Sequence, residues 1–447
     1  MKTDLDKLYE KGIEMHHITN TAYPLTPGSF HNYKIKNENE IRNLLINDLK
    51  KVDELSLYVH IPFCKSRCKF CEYAVVSGED NEKENKYVEY LLKEIDMYKK
   101  IIGDRKIVGF DMGGGTPTKL SSENIKKITE YLKSSFNFGN FEMSIETTPL
   151  IAMNEPEKIK ELYETGYRRI SMGIQTINPS LLESFGRDGS LNIYEKAIQS
   201  IRKAGFEKFN IDLMYGFLNQ SLEDFEATIK YAISVNPEYI TLYRNRYKGT
   251  KIVDEAEHVT LAKVNEQYHR SFDLLTSNGY EGNYCKNTFS RIKNDYGTSD
   301  YLTGRVVKGT PYIGFGLGAQ SFGNGYLAYN EGAASKTLKT YFEKIDNNLF
   351  PIQDIYDLPV EESIAKMVSV AFYFGFVDFN EFKNRFGIDF EEHFKNEIEF
   401  LINKRLVHIE DNRMFVTKEG TEKIGGVIPM FYSEPSREEL IKIKKIF

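Results

Sequence analysis

Several features are scarce or absent in this chain of 447 residues, and each absence excludes a class of protein or a type of structure. Tryptophan is absent, so aromatic cavities and interfaces must be built from the 29 Tyr and 30 Phe residues. Only four cysteines are present, too few for a disulfide scaffold in so long a chain. Every uncharged apolar stretch falls short of the ~20 residues that span a bilayer, so neither a transmembrane helix nor a membrane partner is expected.

The charge of the chain is nearly balanced. It carries 59 basic and 65 acidic residues, a net charge of −6, which gives no electrostatic reason to expect a nucleic-acid partner. The N-terminal sequence MKTDLDKLYEKGIEMHH lacks the apolar core of a signal peptide, so a cytoplasmic location is expected. Hydrophobic residues at 41% and charged residues at 28% are typical of a globular protein.

The length exceeds the roughly 250–300 residues that one core usually supports, so several structural units are expected. Residues 1–50 are polar and mixed, which predicts an N-terminal extension that wraps a domain. Residues 51–350 alternate between short apolar runs and amphipathic stretches, and residues 351–447 change to consecutive helical patterns. We therefore predict three segments with these boundaries.

The middle segment predicts an α/β fold, because strand-like runs alternate with helices whose apolar residues recur at i, i+3 and i+4. This repetition favours parallel strands joined by right-handed crossovers. Six such units fit a partial (β/α)6 barrel, with additional strands after it, better than a complete eight-fold barrel. The predicted strands are 55–61, 107–112, 141–146, 169–175, 208–214 and 239–243.

The last segment predicts a helical, winged-helix-like module. Three helices are expected at 360–375, 378–387 and 390–406, followed by a hairpin that turns at Asp411–Asn412. Winged-helix modules often bind DNA, but the charges here are mixed and not clustered as a basic patch. The preferred interpretation is that the module packs against or covers the main domain.

Three of the four cysteines form a Cys-x3-Cys-x2-Cys pattern directly after a predicted strand, at Cys64, Cys68 and Cys71. Three thiolates on one short loop can hold three corners of a 4Fe–4S cluster and leave the fourth iron open to a small molecule. A structural zinc site completed by His60 or Cys285 is a competing interpretation, and unliganded thiols are a third. The spacing alone favours the cluster.

Further motifs follow the cysteines in order, nearly all at strand ends. They are YVHIPFCKSRCKFC at 58–71, DMGGGTPT at 111–118, SIETTP at 144–149, RISMGIQT at 169–176, Gly186–Arg187 and IDLMYG at 211–216. As an ordered set they resemble the radical S-adenosylmethionine (SAM) superfamily, in the branch of the oxygen-independent coproporphyrinogen III oxidases. The resemblance implies a 4Fe–4S cluster on the three cysteines and SAM as a second cofactor, with a flavodoxin or ferredoxin as reductant.

The resemblance also implies which residues contact SAM. Glycines without side chains let backbone groups approach its methionine part, and the planar fork of an arginine suits a carboxylate. For the polar members a structural salt bridge or cap is the alternative, for the glycines a tight turn, and for the aromatic members core packing. The implied set is Tyr58, Phe70, Gly113, Gly114, Gly115, Thr116, Glu146, Gln175, Arg187 and Asp212.

Two departures bear on the reaction. Glu72–Tyr73 follows the third cysteine where the anaerobic oxidases have Gly-Cys, and residues 296–309 lack the His and Trp of the heme-chaperone branch. The remaining relatives transfer methyl or methylene groups and are thought to hold two SAM molecules. We therefore expect methyl or methylene transfer to an unsaturated substrate, such as a tetrapyrrole in anaerobic heme ring opening, or a natural product. An oxidase-like decarboxylase and a noncatalytic heme chaperone are the alternatives.

A small-molecule pocket is suggested by Arg244, Arg246 and Lys248, which lie at period-two spacing after a strand. Together they could receive carboxylates such as porphyrin propionates, although a solvated strand end has the same pattern. Cys285 is interpreted as a free buried thiol, with a role as hydrogen relay as the alternative.

Overall fold

The structure, a computed structural model, describes residues 3–19, 23–26, 28–78 and 80–444. The other positions, which include parts of the expected N-terminal extension and the last three residues, lie outside the described residues. The strands are β1 Lys34–Ile35, β2 Glu54–Ile61, β3 Phe63–Cys64, β4 Val76–Ser77, β5 Lys106–Gly114, β6 Asn137–Phe138, β7 Met143–Thr147, β8 Tyr167–Gln175, β9 Lys208–Tyr215, β10 Tyr239–Arg244, β11 Thr288–Ser290, β12 Tyr312–Phe315, β13 Gln320–Phe322, β14 Tyr326–Asn330, β15 Ile352–Asp357, β16 Phe376–Asp378, β17 Val407–Glu410 and β18 Arg413–Val416.

The helices alternate with the strands in the first half of the chain and dominate the last quarter. They are α1 Leu5–Glu14, α2 Glu38–Leu49, α3 Asn81–Ile102, α4 Ser122–Ser135, α5 Pro149–Asn154, α6 Pro156–Thr165, α7 Pro179–Phe185, α8 Leu191–Ala204, α9 Leu222–Ser234, α10 Leu261–Ser277, α11 Asp300–Thr303, α12 Leu338–Asp346, α13 Val360–Ala371, α14 Phe379–Phe386, α15 Phe390–His393, α16 Lys395–Asn403, α17 Lys418–Glu422, α18 Ile424–Val427 and α19 Glu434–Lys442.

The centre of the fold is a run of parallel strands in the order β2-β5-β7-β8-β9-β10, with helices in every connection. The crossover helices α6 and α8 end at Gly166 and Gly205, whose φ angles of 111° and 101° favour glycine and turn the chain back toward the sheet. The expected partial (β/α)6 barrel is confirmed. Parallel strands place all their carboxyl ends at one edge, and the predicted site residues occur there.

The sheet continues beyond the barrel on both sides. Strand β11 pairs antiparallel with β10, and β12 pairs parallel with β2. From β12 the sheet runs on through β13, β14 and β15 to β1, all antiparallel. Strands β1 and β15, which belong to the first and the last of the three proposed segments, thus pair with each other in this sheet.

The C-terminal region contains the expected helices and the expected hairpin. Strands β17 and β18 pair antiparallel around Asp411 and Asn412, whose φ angles of 48° and 58° match the tight turn that such residues favour. Strand β16 pairs with β18 as a third strand. It was not expected, because the predicted helices at 360–375 and 378–387 leave no room for a strand signal between them.

Two large apolar cores and one small cluster, Val306, Val307, Phe374 and Phe376, hold the described part of the molecule together. The first fills the space between the barrel strands and their helices. The second joins the N-terminal segment, the outer strands of the sheet and the C-terminal helices, with buried members such as Leu8, Phe30, Tyr312, Leu401 and Phe431. The C-terminal region therefore packs on the rest of the chain. Among the described residues, no helix is long and apolar enough to cross a membrane.

Candidate active site

The segment that carries the three cysteines begins at the end of β3 and is held by hydrogen bonds on two sides. The Lys69 N–H donates to the carbonyl of Phe185 at 3.1 Å, at the end of α7. The Arg67 guanidinium donates to the carbonyls of Cys71, at 2.7 Å, and Gly249, at 3.0 Å, beyond β10. The loop is thereby fixed between the ends of two barrel units.

The cysteine thiols are free and partly buried. Cys64 Sγ lies 3.4 Å from Thr116 Oγ1, and the Arg187 guanidinium donates to Cys68 Sγ at 3.7 Å. Burial raises the pKa of Cys64 to about 11 and also raises that of Cys71. The thiolates therefore require positive charge from a bound metal group to persist at neutral pH.

The arrangement does not favour the zinc interpretation. Within the described ranges, no three His, Cys, Asp or Glu side chains surround a point where a single ion could sit. His60 Nε2 is occupied by the carbonyl of Ala74 at 2.9 Å, and burial lowers the pKa of this imidazole to about 4. Its Nδ1 lies 3.4 Å from the Tyr58 hydroxyl. His60 thus stabilises the end of β2, and its ring is not oriented to bind a metal.

The glycine run at the end of β5 is required by close backbone packing. A Cβ at Gly114 would lie 2.4 Å from the His60 ring, and the φ of 115° also disfavours any side chain. A Cβ at Gly115 would lie 2.8 Å from the Phe63 carbonyl oxygen. These glycines let β5 end against the cysteine loop, with the Gly114 N–H donating to Glu146 Oε2 at 3.1 Å.

Two carboxylates, Glu146 and Asp212, line the cavity on adjacent parts of the barrel interior. Burial, together with the nearby Asp212 charge, raises the pKa of Glu146 to about 7. Burial also raises the pKa of Asp212, whose oxygens accept hydrogen bonds from Ser171 at 2.8 Å and Asn210 at 2.7 Å. Gln175, at the end of β8, has a buried Oε1 with no donor among the described residues. The group suits a ligand with cationic and hydrogen-donating parts.

The two aromatic residues predicted to contact SAM lie in different surroundings. Tyr58 stacks on Tyr301 with 5.7 Å between ring centroids, and it does not line the cavity described below. Phe70 lines that cavity and packs edge-to-face on Phe185 at 5.2 Å. Tyr58 therefore has the environment expected for core packing, whereas Phe70 combines packing with an exposed edge.

One cavity of about 640 Å³ collects most of the predicted residues. This volume lies within the usual range for small-molecule sites. The N-terminal segment contributes His16, His17 and Thr19 to its wall, and the C-terminal region contributes Phe372, Tyr373, Ile424 and Ile428. The predicted residues on the wall are Cys64, Phe70, Cys68, Cys71, Gly114, Gly115, Thr116, Glu146, Gln175, Arg187, Asp212, Arg244 and Arg246.

The three basic residues predicted to bind substrate are separated. Arg244 donates to His16 Nδ1, and Arg246 forms an ion pair with Glu72. Lys248 donates to the carbonyl of Leu25 at 3.0 Å and does not line the cavity. The strand ends at Arg244, so the alternation that placed all three on one face does not continue to Lys248.

Several wall residues were missed from the sequence. Tyr73 follows the third cysteine and Tyr243 ends β10, so their positions beside motifs were an available signal. His16 and Tyr373 reach the cavity through tertiary packing, which no local pattern reveals. Cys285 also lines the cavity, and burial raises the pKa of its thiol to about 12.

Residues 58–232 match the family model described as the radical SAM superfamily. The chain contains a radical SAM domain. Residues 376–421 of this radical SAM protein also match the model described as the HemN C-terminal domain. The expected resemblance is thereby confirmed, and both matches fall on the elements that form the barrel and the C-terminal region.

Curated relatives of this radical SAM protein are similar over most of its length. It is 26% identical over 399 residues to the oxygen-independent coproporphyrinogen III oxidase of Helicobacter pylori, covering 85% of each chain. It is 26% identical over 423 residues to the heme chaperone HemW of Haemophilus influenzae, covering 86% of this chain and 100% of that protein. The solved structure of coproporphyrinogen III oxidase (HemN) from Escherichia coli shares the fold, with a TM-score of 0.72, 23% identity, and coverage of 88% and 93%.

The radical SAM domain implies that the chain is a radical SAM enzyme with a 4Fe–4S cluster and SAM as cofactors, and the relatives named above are of HemN or HemW type. The site fits both groups, because three partly buried thiols and a Gln175 Oε1 with no donor among the described residues face one cavity. The expectation of methyl transfer is not supported, since the relatives described here are named as oxidases and chaperones. The departures at Glu72–Tyr73 and at 296–309 therefore do not identify a methyltransferase.

Proposed function

We propose that this radical SAM enzyme carries out an oxidative radical reaction on a tetrapyrrole that bears carboxylate side chains, as in coproporphyrinogen III oxidation. The observation that carries the proposal is Arg244, a cation on the cavity wall that forms no ion pair with a carboxylate of the described residues. Its hydrogen-bond partner is His16, and burial and the charge of Arg244 lower the pKa of that imidazole to about 3. A buried cation beside a neutral partner is stabilised by an anion from the ligand.

Cys64, Cys68 and Cys71 would hold the cluster, while Glu146, Gln175, Arg187 and Asp212 would surround SAM. When bound, these cofactors supply the reductive cleavage of SAM that yields a 5′-deoxyadenosyl radical, with the electron coming from a reductant such as flavodoxin or ferredoxin. The Arg187 guanidinium would lie between the cluster and SAM, since it donates both to Cys68 Sγ and to the carbonyl of Gly173. Glu146 and Asp212 favour a cationic ligand electrostatically.

The protein also keeps the site dry. The cavity lies between the barrel and two covering segments, which limits the access of water to reactive species formed inside. In the proposed reaction a propionate loses its carboxyl group as CO2, a hydrogen atom to the radical and one electron to a one-electron acceptor, which leaves a vinyl group. The Arg244 guanidinium would position a carboxylate of the substrate.

The test uses anaerobically reconstituted protein with SAM, a strong chemical reductant and either coproporphyrinogen III or heme. Oxidation predicts 5′-deoxyadenosine, CO2 and a vinyl product from coproporphyrinogen III. Methyl transfer predicts S-adenosylhomocysteine as well and would refute the proposal. Tight heme binding with no deoxyadenosine above background would instead support the chaperone alternative, which the similarity to HemW favours.

A further inference from the structure

Two tyrosines on the cavity wall have accessible side chains. Tyr73 is 52% exposed and Tyr243 is 37% exposed, and both line the cavity. Other tyrosines of the chain are engaged; Tyr58, for example, stacks on Tyr301. Within the described parts of the chain, neither Tyr73 nor Tyr243 stacks on another ring or forms a hydrogen bond through its hydroxyl. Bare aromatic rings inside a cavity are surfaces that a ligand can cover.

The two rings are carried by segments that are tied together. Tyr73 lies two residues after Cys71, and Tyr243 is the last residue but one of β10. An ion pair between Glu72 and Arg246 joins these two segments, and the Lys336 ammonium donates to the Glu72 carbonyl at 3.3 Å. The segments that carry the two rings are therefore held in place before a ligand arrives, which lowers the backbone entropy lost on binding.

The electrostatic surroundings keep both phenols neutral. Burial raises the pKa of Tyr73, and the Glu72 carboxylate raises it further. Burial, the Asp212 carboxylate and the Tyr73 phenol together raise the pKa of Tyr243, so the two side chains lie near each other and near the SAM residues. Neutral aromatic faces suit an uncharged conjugated ring better than a charged group.

We propose that Tyr73 and Tyr243 bind the substrate by stacking on the faces of its pyrrole rings, with a carboxylate at the edge of the ligand reaching Arg244. The inference rests on the proposed function, because it takes a tetrapyrrole as the ligand of this cavity. It assigns a role to Tyr73, the second residue after the third cysteine, where this chain departs from the oxidases. Tyr73 and Tyr243 then position the substrate for the reaction.

The experiment compares Tyr73→Ala, Tyr73→Phe, Tyr243→Ala and Tyr243→Phe in the reconstituted full-length protein. Binding of hemin and of coproporphyrin III is titrated by absorbance, and SAM binding and iron content are measured in the same samples. Each Ala variant is expected to raise the Kd for both tetrapyrroles about tenfold, whereas each Phe variant stays within about twofold of wild type. SAM affinity and iron content are expected to stay unchanged. Tyr90→Ala, outside the cavity, is the control.

The outcomes separate this inference from the proposed function. Wild-type protein that binds neither tetrapyrrole would overturn both. Wild-type binding that both Ala variants retain would overturn the stacking role alone. A loss of SAM affinity in the Ala variants, with tetrapyrrole binding intact, would place the rings at SAM and also overturn it. Phe variants as weak as the Ala variants would show that the hydroxyls bind the ligand and not the ring faces.

Discussion

Replacing Arg244 with methionine tests the origin of substrate affinity most directly. The change removes the positive charge while it keeps an unbranched side chain of similar width, so the cavity wall is largely retained. A charge-assisted hydrogen bond contributes about 1.5–3 kcal/mol, so the loss of one predicts a KM increase of roughly 10- to 150-fold. The maximal rate of deoxyadenosine formation should change much less, because Arg244 contacts neither the cysteines nor the carboxylates on Asp212 and Glu146.

The stability of the variant gives an independent readout. Arg244 is a buried cation whose pKa is lowered by burial, and its hydrogen-bond partner is the neutral His16. Removing such a charge relieves a desolvation cost, so the Tm of Arg244→Met should equal or exceed that of the wild type. A purely structural arginine would give the opposite combination, with a lower Tm and an unchanged KM.

The assay measures deoxyadenosine formation against substrate concentration, with thermal unfolding of the same samples. Lys248→Met is the matched control, since Lys248 is a basic residue of the same segment that points to the Leu25 carbonyl and not into the cavity. Its KM should stay at the wild-type value. An unchanged KM in Arg244→Met, or an equal increase in both variants, would refute the role given to Arg244.

Three further predictions concern the cofactors. Cys68→Ala should lose the cluster, measured as iron and sulfide after anaerobic reconstitution, and Cys285→Ala should retain it; a full cluster in the first variant would contradict the assignment. SAM affinity should rise as the pH increases through about 7, because Glu146 becomes a carboxylate there and attracts the cationic ligand, and Glu146→Gln should abolish this dependence. Gly114→Ala should lower the Tm by several degrees and weaken SAM binding, because its Cβ would lie 2.4 Å from a buried imidazole and φ is 115°. Gly28→Ala, where a Cβ meets only one atom at 3.8 Å, should have little effect on either.

Local sequence patterns were enough to predict most of the barrel. The last barrel strand was expected at 239–243 and spans Tyr239–Arg244, because apolar runs and turn residues are local signals. The antiparallel extension from β12 to β1 was not predicted in detail. Its strands are short, and their pairing joins segments distant in the chain, such as β1 with β15.

The candidate site also contains residues that the sequence predicts and residues that it does not. Residues at strand ends, such as Glu146 and Asp212, were predictable because parallel strands bring their carboxyl ends together. His16 was not, since it meets Arg244 across 228 positions of sequence. The prediction for Lys248 was wrong for another reason. It extended the alternation of β10 beyond Arg244, where the strand ends.

The helices α1 and α18 pack closely beside the cavity, whose wall includes His16 and Ile424, and a Cβ at Gly12 would lie 2.2 Å from the Gly425 carbonyl oxygen. The first and last segments of the chain thus meet beside the site. During synthesis the cysteine loop leaves the ribosome long before Gly425 does. The nascent barrel therefore passes through a stage in which the contact between α1 and α18 has not formed, and the side of the cavity that Ile424 lines is completed only when the last quarter of the chain has been made.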